Sequence, residues 1–469
     1  MGRRKKKLFE KVEVTGIADK GKAVGRSSEG EVIFIEGAVP GDTADILGLR
    51  KKKGVWQGIL QTMIQPSEQR SEPFCQHFED CGGCKWQHFD YNGQIQHKQK
   101  TVEDALRRIA HLEDTKVLPI VPAPSTVHYR NKMEYSFSAK RWIPEAEIAE
   151  GGDIDGRFAL GLHRPGAFDK IVDLQECWLQ PEPGNGIRNS VKAFALEQEW
   201  SFYDPRAQTG WLRALMLRNN LAGEWMLTLV AAERRAEDIQ LLFDHLAKQF
   251  PEITSFYFML NDKKNDSLQD LAAEHWAGNK RLRLKLGPVD YDLGPKSFFQ
   301  TNTQQAKNLY DKVVECAEFS GDEIVYDLYC GIGSIGLYVA PHCREVIGID
   351  IVEEAIADAR ENAARYPERP MQFFAGDAKD VLQPDFAERY GRADVVITDP
   401  PRAGMHEDVI QFLLELRPKK IVYVSCNPAT QARDLARLDD AYSIPTVQPV
   451  DMFPHTHHVE SIAVLNRKS

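Results

Sequence analysis

Cys426 is a thiol that follows directly on a predicted strand. The apolar run at 421–424 predicts a buried strand, and Asn427 and Pro428 come immediately after the cysteine. A buried structural role is the commoner one for this residue type. Open α/β sheets, however, bind ligands beyond the carboxyl ends of their strands, where a core has no need of a thiol. We therefore predict that Cys426 is a nucleophile.

A glycine-rich segment, DLYCGIGSIGL, predicts a site for an adenosine cofactor. Gly331, Gly333 and Gly336 complete the pattern G-x-G-x-x-G between a predicted strand and a predicted helix, where missing side chains let the backbone approach a ligand. Asp350 ends the next predicted strand, and its carboxylate could accept hydrogen bonds from ribose hydroxyls. The pattern suits NAD as well as S-adenosylmethionine, and a tight turn without a ligand is a third interpretation.

Two further predicted strands end in aspartates. The segment AGDAKD places Asp377 where an adenine-edge contact would lie, and VVITDPPRAG ends its strand in Asp399 and two prolines. The prolines impose a stiff, non-helical chain, which suits a flat substrate beside the cofactor and has no evident use in a dehydrogenase. This pattern favours S-adenosylmethionine over NAD, although Asp-Pro-Pro also occurs in simple turns.

A thiol beside S-adenosylmethionine indicates C5 of a pyrimidine as the methyl acceptor. Amines and hydroxyls need no covalent help, whereas C5 becomes nucleophilic only after a thiolate such as that of Cys426 adds to C6. A base must then remove the C5 proton. Glu460 begins the apolar run ESIAVL, a costly position for a carboxylate that is neither paired nor used. Glu460 is therefore the candidate base, with a solvent-facing strand residue as the alternative.

Four cysteines form a candidate metal site: Cys75, Cys81, Cys84 and Cys177. Three of the eight cysteines lie within ten residues, in the spacing C-x5-C-x2-C, which indicates metal or redox chemistry in a reducing compartment rather than a disulfide framework. Four thiolates suit either a [4Fe–4S] cluster or structural zinc, and His77 or His88 could complete a Cys3His zinc site. The spacing does not separate these possibilities.

The order of predicted elements divides the chain into three regions. Residues 1–63 hold short apolar runs between Gly, Asp and Pro turns, typical of a small β-barrel. Residues 64–285 are mixed and include a predicted helix at 94–109, with apolar positions Ile95, Val102, Leu106 and Ile109 on one face, followed by β-rich segments. In residues 286–469 strands and helices alternate, which predicts a parallel sheet built from βαβ units.

Charge is segregated along the chain. The net charge is −10, but residues 1–63 hold 13 Lys and Arg against 8 Asp and Glu. A basic module on an acidic body predicts local binding of a polyanion, although the run at 2–7 by itself suits a solvated tail equally well. No leader and no membrane span is predicted, so we expect a cytoplasmic protein that binds neither membrane nor an evident protein partner.

The segment 128–142 interleaves cations with aromatic residues. Arg130 and Lys132 alternate with Tyr129, Tyr135 and Phe137, which predicts that cations hold RNA phosphates while aromatic rings stack on splayed bases. An ordinary amphipathic strand pair is the alternative. 

Five segments in order closely resemble the RNA uracil-5-methyltransferase family of ribosomal and transfer RNA enzymes: SFFQTN, DLYCGIGSIGL, DPPRAG, SCNPAT and FPHTHHVESIAVL. The likeness spans nearly the whole chain, since residues 9–63 resemble the family's TRAM barrel and the cysteines resemble its iron–sulfur motif. It implies an α/β fold, with a Rossmann-like class I methyltransferase domain, a TRAM/OB-like β-barrel and a central α+β RNA-binding domain.

The resemblance also implies roles for individual residues. Cys426 is the expected nucleophile on C6 and Glu460 the expected base at C5, and a [4Fe–4S] cluster is favoured over zinc at the four cysteines. The expected S-adenosylmethionine contacts are Gln300, Tyr329, Ser334, Asp350, Asp377 and Asp399. Ser334 stands where asparagine is familiar and Asp350 where glutamate is, and both changes keep a polar contact possible.

The favoured substrate is 23S ribosomal RNA, with transfer RNA as the alternative. Two interpretations from other classes stay open at this point. An amine-directed methyltransferase would keep its activity in Cys426→Ala, and a non-catalytic RNA-binding protein would bind RNA without methylating it. The remaining cysteines are predicted to be structural, and three histidines near the C-terminus are predicted to pack in a loop or contact RNA rather than metal: His455, His457 and His458.

Overall fold

A closed barrel, a seven-stranded sheet and an eight-stranded sheet form the three units of the computed structural model, which describes residues 6–151 and 156–469. The charged residues Arg3, Arg4 and Lys5 of the predicted basic tail lie outside the described residues. The three units follow the order expected from the sequence. The proposed boundaries at 63 and 285 stay predictions.

The N-terminal unit is a barrel of five strands that close in the order β1-β2-β3-β5-β4. The strands are β1 Lys7–Ile17, β2 Ala23–Arg26, β3 Val32–Glu36, β4 Thr43–Lys52 and β5 Val55–Gln65. Alternate side chains such as Ile33, Ile35 and Ile46 fill the interior, as the period of two in a half-buried strand requires. This confirms the predicted small barrel. Several of its lysines are paired with glutamates inside the unit, Lys7 and Lys51 both with Glu31, so less of the basic charge is free than the sequence indicated.

The central unit is a seven-stranded sheet with the order β13-β12-β11-β10-β7-β8-β9. Its elements, with the two that precede them, are α1 Tyr91–Ala105, β6 Lys116–Val117, β7 Lys132–Ser138, α2 Glu145–Glu150, β8 Ala159–His163, β9 Ile171–Asp173, α3 Gly184–Glu197, β10 Leu212–Asn219, β11 Trp225–Ala231, α4 Ala236–Gln249, β12 Ile253–Leu260 and β13 Ala273–Gly278. The apolar faces of α3 and α4 pack on the sheet through Ile187, Val191 and Leu242.

Helix α1 confirms the predicted helix but not its whole apolar face. One π-helical turn, Leu106–Ala110, continues it. Val102 and Leu106 are buried as predicted, whereas Ile109 is exposed. Two polar residues, Gln94 and Lys98, are fully buried on the inner face instead. The prediction failed here because buried polar side chains with partners are invisible to an apolar periodicity.

The predicted base-stacking role of the segment 128–142 is wrong for its central aromatic residues. Tyr129, Tyr135 and Phe137 are buried in the core of the central unit, where no nucleic-acid base can stack on them. The guanidinium of Arg130 lies over the ring of Phe453 instead of pointing into solvent. The amphipathic-strand alternative describes this segment better.

The C-terminal unit is an eight-stranded sheet with the order β18-β17-β16-β19-β20-β22-β21-β6. A hairpin precedes it, β14 Leu282–Leu286 and β15 Val289–Leu293. The remaining elements are α5 Thr303–Ala317, β16 Ile324–Leu328, α6 Ser334–Val339, β17 Glu345–Asp350, α7 Glu353–Ala363, β18 Met371–Ala375, α8 Ala378–Val381, α9 Pro384–Tyr390, β19 Val395–Thr398, α10 Glu407–Leu416, β20 Lys420–Ser425, α11 Pro428–Leu438, β21 Tyr442–Val450 and β22 Glu460–Arg467.

Strands β16 to β20 are parallel, which confirms the predicted βαβ sheet. The last strand departs from that pattern: β22 is inserted antiparallel between β20 and β21. Strand β6, Lys116–Val117, pairs with β21, Tyr442–Val450, at the sheet edge although the two are far apart in the sequence. The C-terminal sheet therefore includes a strand from the region 64–285. Within the described residues, no helix has the length and apolarity needed to cross a membrane.

Candidate active site

Strand β22 brings Glu460 to the same sheet edge as Cys426. Ser425 of β20 lies opposite Ser461 of the antiparallel strand β22, so Cys426, which follows Ser425, and Glu460, which precedes Ser461, are neighbours. Asp399 follows the adjacent parallel strand β19, and its backbone N–H donates to the Leu328 carbonyl. Because β22 runs antiparallel, its first residue meets the carboxyl end of β20. The structure thus brings together the predicted nucleophile, the predicted base and one predicted cofactor contact.

The turn that carries Cys426 is tied to the loop after Asp399. Asn427 caps helix α11 by accepting a hydrogen bond from the Ala429 N–H, and its side-chain amide donates to the Arg402 carbonyl at 3.0 Å. The Thr430 hydroxyl donates a hydrogen bond to the same carbonyl. The stiff Asp-Pro-Pro segment and the thiol-bearing turn therefore form one fixed edge. Cys426 itself is only half buried, so a substrate can reach the thiol.

Burial dominates the electrostatics of this edge. Glu460 is 3% exposed, and burial, together with the negative charge of Asp399, raises the pKa of its carboxyl to about 8. Burial raises the pKa of Asp399 to about 7. Burial and then the Glu460 and Asp399 charges raise the pKa of Cys426 to about 11, while the Arg402 guanidinium opposes the shift at Cys426 and Glu460. Perturbed groups that cluster in this way are typical of a catalytic site.

The glycine loop adopts the backbone that a nucleotide site needs. Gly331 and Gly333 have positive φ values of 55° and 73°, which side-chain-bearing residues rarely adopt. Asp350 holds the loop, since its carboxylate accepts hydrogen bonds from the N–H groups of Gly331 and Val352, both at 2.8 Å. The loop therefore reaches the start of helix α6 in one defined conformation.

The other predicted cofactor contacts have these local surroundings. Gln300 is buried, and the side chain of Asn131 donates to its carbonyl at 2.9 Å. Tyr329 precedes the loop in a left-handed backbone conformation. The Ser334 hydroxyl accepts from Tyr310. Asp377 caps helix α8 by accepting from the Lys379 N–H.

Asp327 is a candidate site residue that the sequence analysis did not single out. It is fully buried at the end of β16, one oxygen accepts from the Gly336 N–H at 2.8 Å, and the other has no hydrogen-bond partner within the described residues. Burial raises the pKa of its carboxyl to about 8. A signal was present, because Asp327 is a charged residue inside an apolar strand that leads into the glycine pattern.

The four predicted metal cysteines approach one another beside the central sheet. Cys81, Cys84 and Cys177 contact its apolar core, and burial raises the pKa of the Cys81 and Cys84 thiols to about 12. The other three thiols of the set also raise the pKa of the Cys81 thiol. Within the described ranges, however, no group of three or more His, Cys, Asp or Glu side chains is arranged to hold a single metal ion. This finding applies equally to the four cysteines and to the Cys3His alternatives with His77 or His88, so all of them stay predictions.

The surroundings of these thiols favour a negatively charged group. Nearby backbone N–H groups lower the pKa of the Cys75 and Cys177 thiols against the effect of burial, and the Gly83 N–H donates to the Cys81 sulfur at 3.4 Å. Arg188 is fully buried, and within the described residues its guanidinium donates to neutral acceptors, among them the Gln175 carbonyl and the Asn189 side chain, and to no carboxylate. Its guanidinium donates to Asn185, which also accepts the Cys177 N–H, and its charge lowers the pKa of the Cys177 thiol against the effect of burial. An unpaired buried cation is costly unless an anion lies nearby.

Comparisons with known proteins identify relatives of this chain. The family model described as tRNA (Uracil-5-)-methyltransferase matches residues 269–468. An uncharacterized RNA methyltransferase from Bacteroides thetaiotaomicron is 45% identical over 96% of this chain and 99% of its own, and one from Porphyromonas gingivalis is 43% identical over 98% and 100%. The crystal structure of Pyrococcus abyssi tRNA (uracil-54, C5)-methyltransferase with S-adenosyl-L-homocysteine is similar, with a TM-score of 0.74, 30% identity and coverage of 96% and 99%.

The raised pKa of Glu460 predicts how stability depends on pH. Between pH 4.5 and about 8 the unfolded chain loses the Glu460 proton while the folded protein keeps it, so this carboxyl lowers stability as pH rises. We expect Glu460→Gln to gain roughly 4 kcal/mol over the parent at pH 8.5 and less than about 1 kcal/mol at pH 5. Denaturant unfolding at the two pH values measures this difference. Exposed Glu388 is the matched control, since Glu388→Gln should change the free energy of unfolding equally at both pH values. An equal gain for Glu460→Gln at pH 5 and 8.5 would contradict the raised pKa of Glu460.

Proposed function

Because the chain belongs to the family of S-adenosylmethionine-dependent RNA uracil-5-methyltransferases, we propose that Cys426 and Glu460 carry out the transfer through a covalent RNA adduct. The observation that supports this is the pairing of β20 with β22, which makes a half-buried thiol and a buried carboxyl neighbours at the cofactor edge of the sheet. An amine-directed enzyme has no use for this thiol.

In the first step the Cys426 thiolate adds to C6 of the uracil. The sulfur lone pair forms the S–C6 bond, and the electrons of the C5=C6 double bond move onto C5 and the C4 carbonyl as an enolate. When bound, S-adenosylmethionine would supply the electrophilic methyl group: C5 of the adduct would form the new C–C bond while the bond between the sulfonium sulfur and the methyl group breaks, and the electrons of that bond would leave with S-adenosylhomocysteine.

In the second step the Glu460 carboxylate removes the C5 proton. The electrons of the C5–H bond re-form the C5=C6 double bond, the S–C6 bond breaks, and the Cys426 thiolate is restored. The products are 5-methyluridine, S-adenosylhomocysteine and one proton on Glu460. A carboxyl whose pKa is about 8 is a stronger base than an ordinary glutamate, which suits the removal of a carbon-bound proton near neutral pH.

We also propose that the cofactor's own charge prepares the site. The sulfonium group of S-adenosylmethionine is positive, and an opposite charge within a few ångströms favours ionised Cys426, Glu460 and Asp399. The proposed contacts to the rest of the cofactor are Gln300, Tyr329, Ser334, Asp350, Asp377 and Asp399. Asp327 supports the same loop through Gly336.

For the four cysteines we propose a [4Fe–4S] cluster. Four thiolates around such a cluster carry a net negative charge, which suits the N–H donors and the unpaired Arg188 guanidinium that surround them. The resemblance of the cysteine spacing to the family's iron–sulfur motif favours this cluster over zinc. Methyl transfer needs no electron, so the cluster would supply a structural cross-link between the segment 75–84 and Cys177.

The proposed substrate is a uridine in 23S ribosomal RNA, with transfer RNA as the alternative. The similar Pyrococcus abyssi protein is a transfer RNA methyltransferase, which supports the alternative. Mass spectrometric mapping of 5-methyluridine in both RNAs from a deletion strain and its parent decides between them. Loss of one ribosomal modification supports the proposal, and loss confined to transfer RNA overturns it in favour of the alternative.

The covalent step predicts a trapped complex. A 5-fluorouridine transcript has no C5 proton for Glu460 to remove, so the methylated adduct should persist through denaturing electrophoresis, and peptide mapping should locate it at Cys426. Cys426→Ala should form no adduct and should lose at least 10³-fold in kcat, an effect on the order expected for a missing nucleophile. Cys316→Ala, a half-buried cysteine of α5, is the control and should form the adduct normally. Normal turnover by Cys426→Ala would refute the covalent route.

The cluster proposal predicts metal content. Protein purified anaerobically should hold about four iron and four sulfide per chain, and Cys81→Ser should hold much less because one of the four thiolate ligands is lost. Cys343→Ser changes a cysteine outside this set and should hold as much iron as the parent. Stoichiometric zinc without iron would show that the site binds zinc instead.

A further inference from the structure

The segment 451–459, which leads into Glu460, is held by residues far from it in the sequence. We call the residues 74–86, which carry the first three candidate metal cysteines, the cysteine loop. The backbone N–H groups of Lys85 and Trp86 at one end of this loop donate to the His455 carbonyl at 2.8 and 3.1 Å. The Phe74 ring at its other end packs edge-on against the His455 ring, with 5.3 Å between ring centroids. Both ends of the cysteine loop therefore meet at His455.

Gln94 of helix α1 completes the contact with His455. Its side-chain oxygen accepts a hydrogen bond from the His455 backbone N–H at 2.8 Å, and its amide nitrogen lies 3.2 Å from His455 Nδ1. The same nitrogen donates to the carbonyls of Phe89 at 2.7 Å and Trp86 at 3.0 Å. Gln94 is fully buried. One side chain thus joins the cysteine loop, helix α1 and the segment 451–459.

Other contacts hold the rest of the segment. Lys98 pairs with Asp451 at 2.5 Å, with both side chains fully buried, and Tyr129 donates to the Pro454 carbonyl at 3.1 Å. The barrel contributes Gly21, where an added Cβ would lie 2.8 Å from the Cβ of His457. The segment itself has no regular secondary structure between β21 and β22. Its conformation therefore depends on these tertiary contacts.

Glu460 is sensitive to the position of this segment. Within the described residues its carboxyl makes no hydrogen bond or ion pair, so no polar partner holds the carboxyl in place and its position follows that of the backbone. From Glu460 onward, strand pairing fixes the backbone, because Glu460 pairs with Val450 and Ser461 pairs with Ser425. Before Glu460, the backbone is fixed only by the segment 451–459, which is anchored at His455, five residues earlier.

We propose that Gln94, together with the cysteine loop, positions the Glu460 carboxyl by fixing His455. Gln94 is a positioning residue in this scheme, because it does not reach the substrate and acts through the segment 451–459. The proposal rests on the proposed function of Glu460 as the base. It also gives the cysteine loop a role in the second half of the reaction, since proton removal at C5 needs Glu460 whereas addition of Cys426 to C6 does not.

The test is Gln94→Met, which keeps the length of the side chain and removes its hydrogen bonds. A displaced base slows proton removal, so the methylated Cys426 adduct with ordinary RNA should accumulate during turnover, about 5-fold or more above the parent. kcat should fall roughly 10- to 100-fold, as expected for a displacement near 1 Å, and KM for S-adenosylmethionine should change less than about 2-fold. Hydrogen exchange should rise in peptides that cover 451–460 and stay unchanged elsewhere in the C-terminal sheet.

Two comparisons separate the possible failures. Glu460→Gln should accumulate the same adduct, and if it does not, the proposed function of Glu460 fails. If Glu460→Gln accumulates the adduct but Gln94→Met lowers adduct and product together, the positioning role is refuted. Asn261→Leu removes another fully buried amide, whose bonds stay within the loop after β12, and should leave adduct levels at those of the parent.

A second variant covers the case in which Gln94→Met does not fold. Phe74 is 41% exposed, so Phe74→Leu removes the ring contact with His455 at little cost to the core. A smaller accumulation of adduct, about 2-fold, is expected. Adduct at the parent level in Phe74→Leu, with unchanged exchange at 451–460, would refute the role of the cysteine loop.

Discussion

The burial of Glu460 beside Cys426 and Asp399 is the constraint on which the site depends. All three groups are acids, and surroundings of low polarity penalise each of their charged forms, so the protein alone raises the pKa of all three. Arg402 relieves only part of this penalty. A cationic cofactor and the ionised forms of these acids therefore stabilise each other by linkage, which ties the activation of the thiol and the base to the presence of the methyl donor.

The inserted strand β22 explains how two reactive groups come from distant parts of the chain. In a purely parallel sheet the first residue of a strand lies at the edge opposite the ligand edge. Because β22 runs antiparallel between β20 and β21, its first residue, Glu460, lies at the ligand edge instead. The segment 451–459 must then cross that edge, and it is there that the barrel, the cysteine loop and helix α1 all contact it.

Much of the fold follows from local patterns. Strands β16 to β20 were predictable because buried parallel strands are continuous apolar runs. The residues that end them lie at one edge of the sheet because parallel strands all run in the same direction. Helix α1 was predictable, but its buried face was not, since Gln94 and Lys98 are stabilised by partners more than 350 residues away. The prediction that Tyr135 stacks on an RNA base was wrong for a related reason. An alternating pattern shows that a strand has two different faces, but it does not show which face meets the core.

The sequence alone determined the family, the glycine loop and the identities of the thiol, the carboxylates and the four cysteines, because these depend on residue type and local order. Only the tertiary structure decided that Cys426 and Glu460 are neighbours, that β6 joins the C-terminal sheet and that His455 is joined to Gln94. The physical reason is that burial, register and hydrogen bonds between remote residues depend on how the chain packs, and packing is a property of the whole fold rather than of any segment.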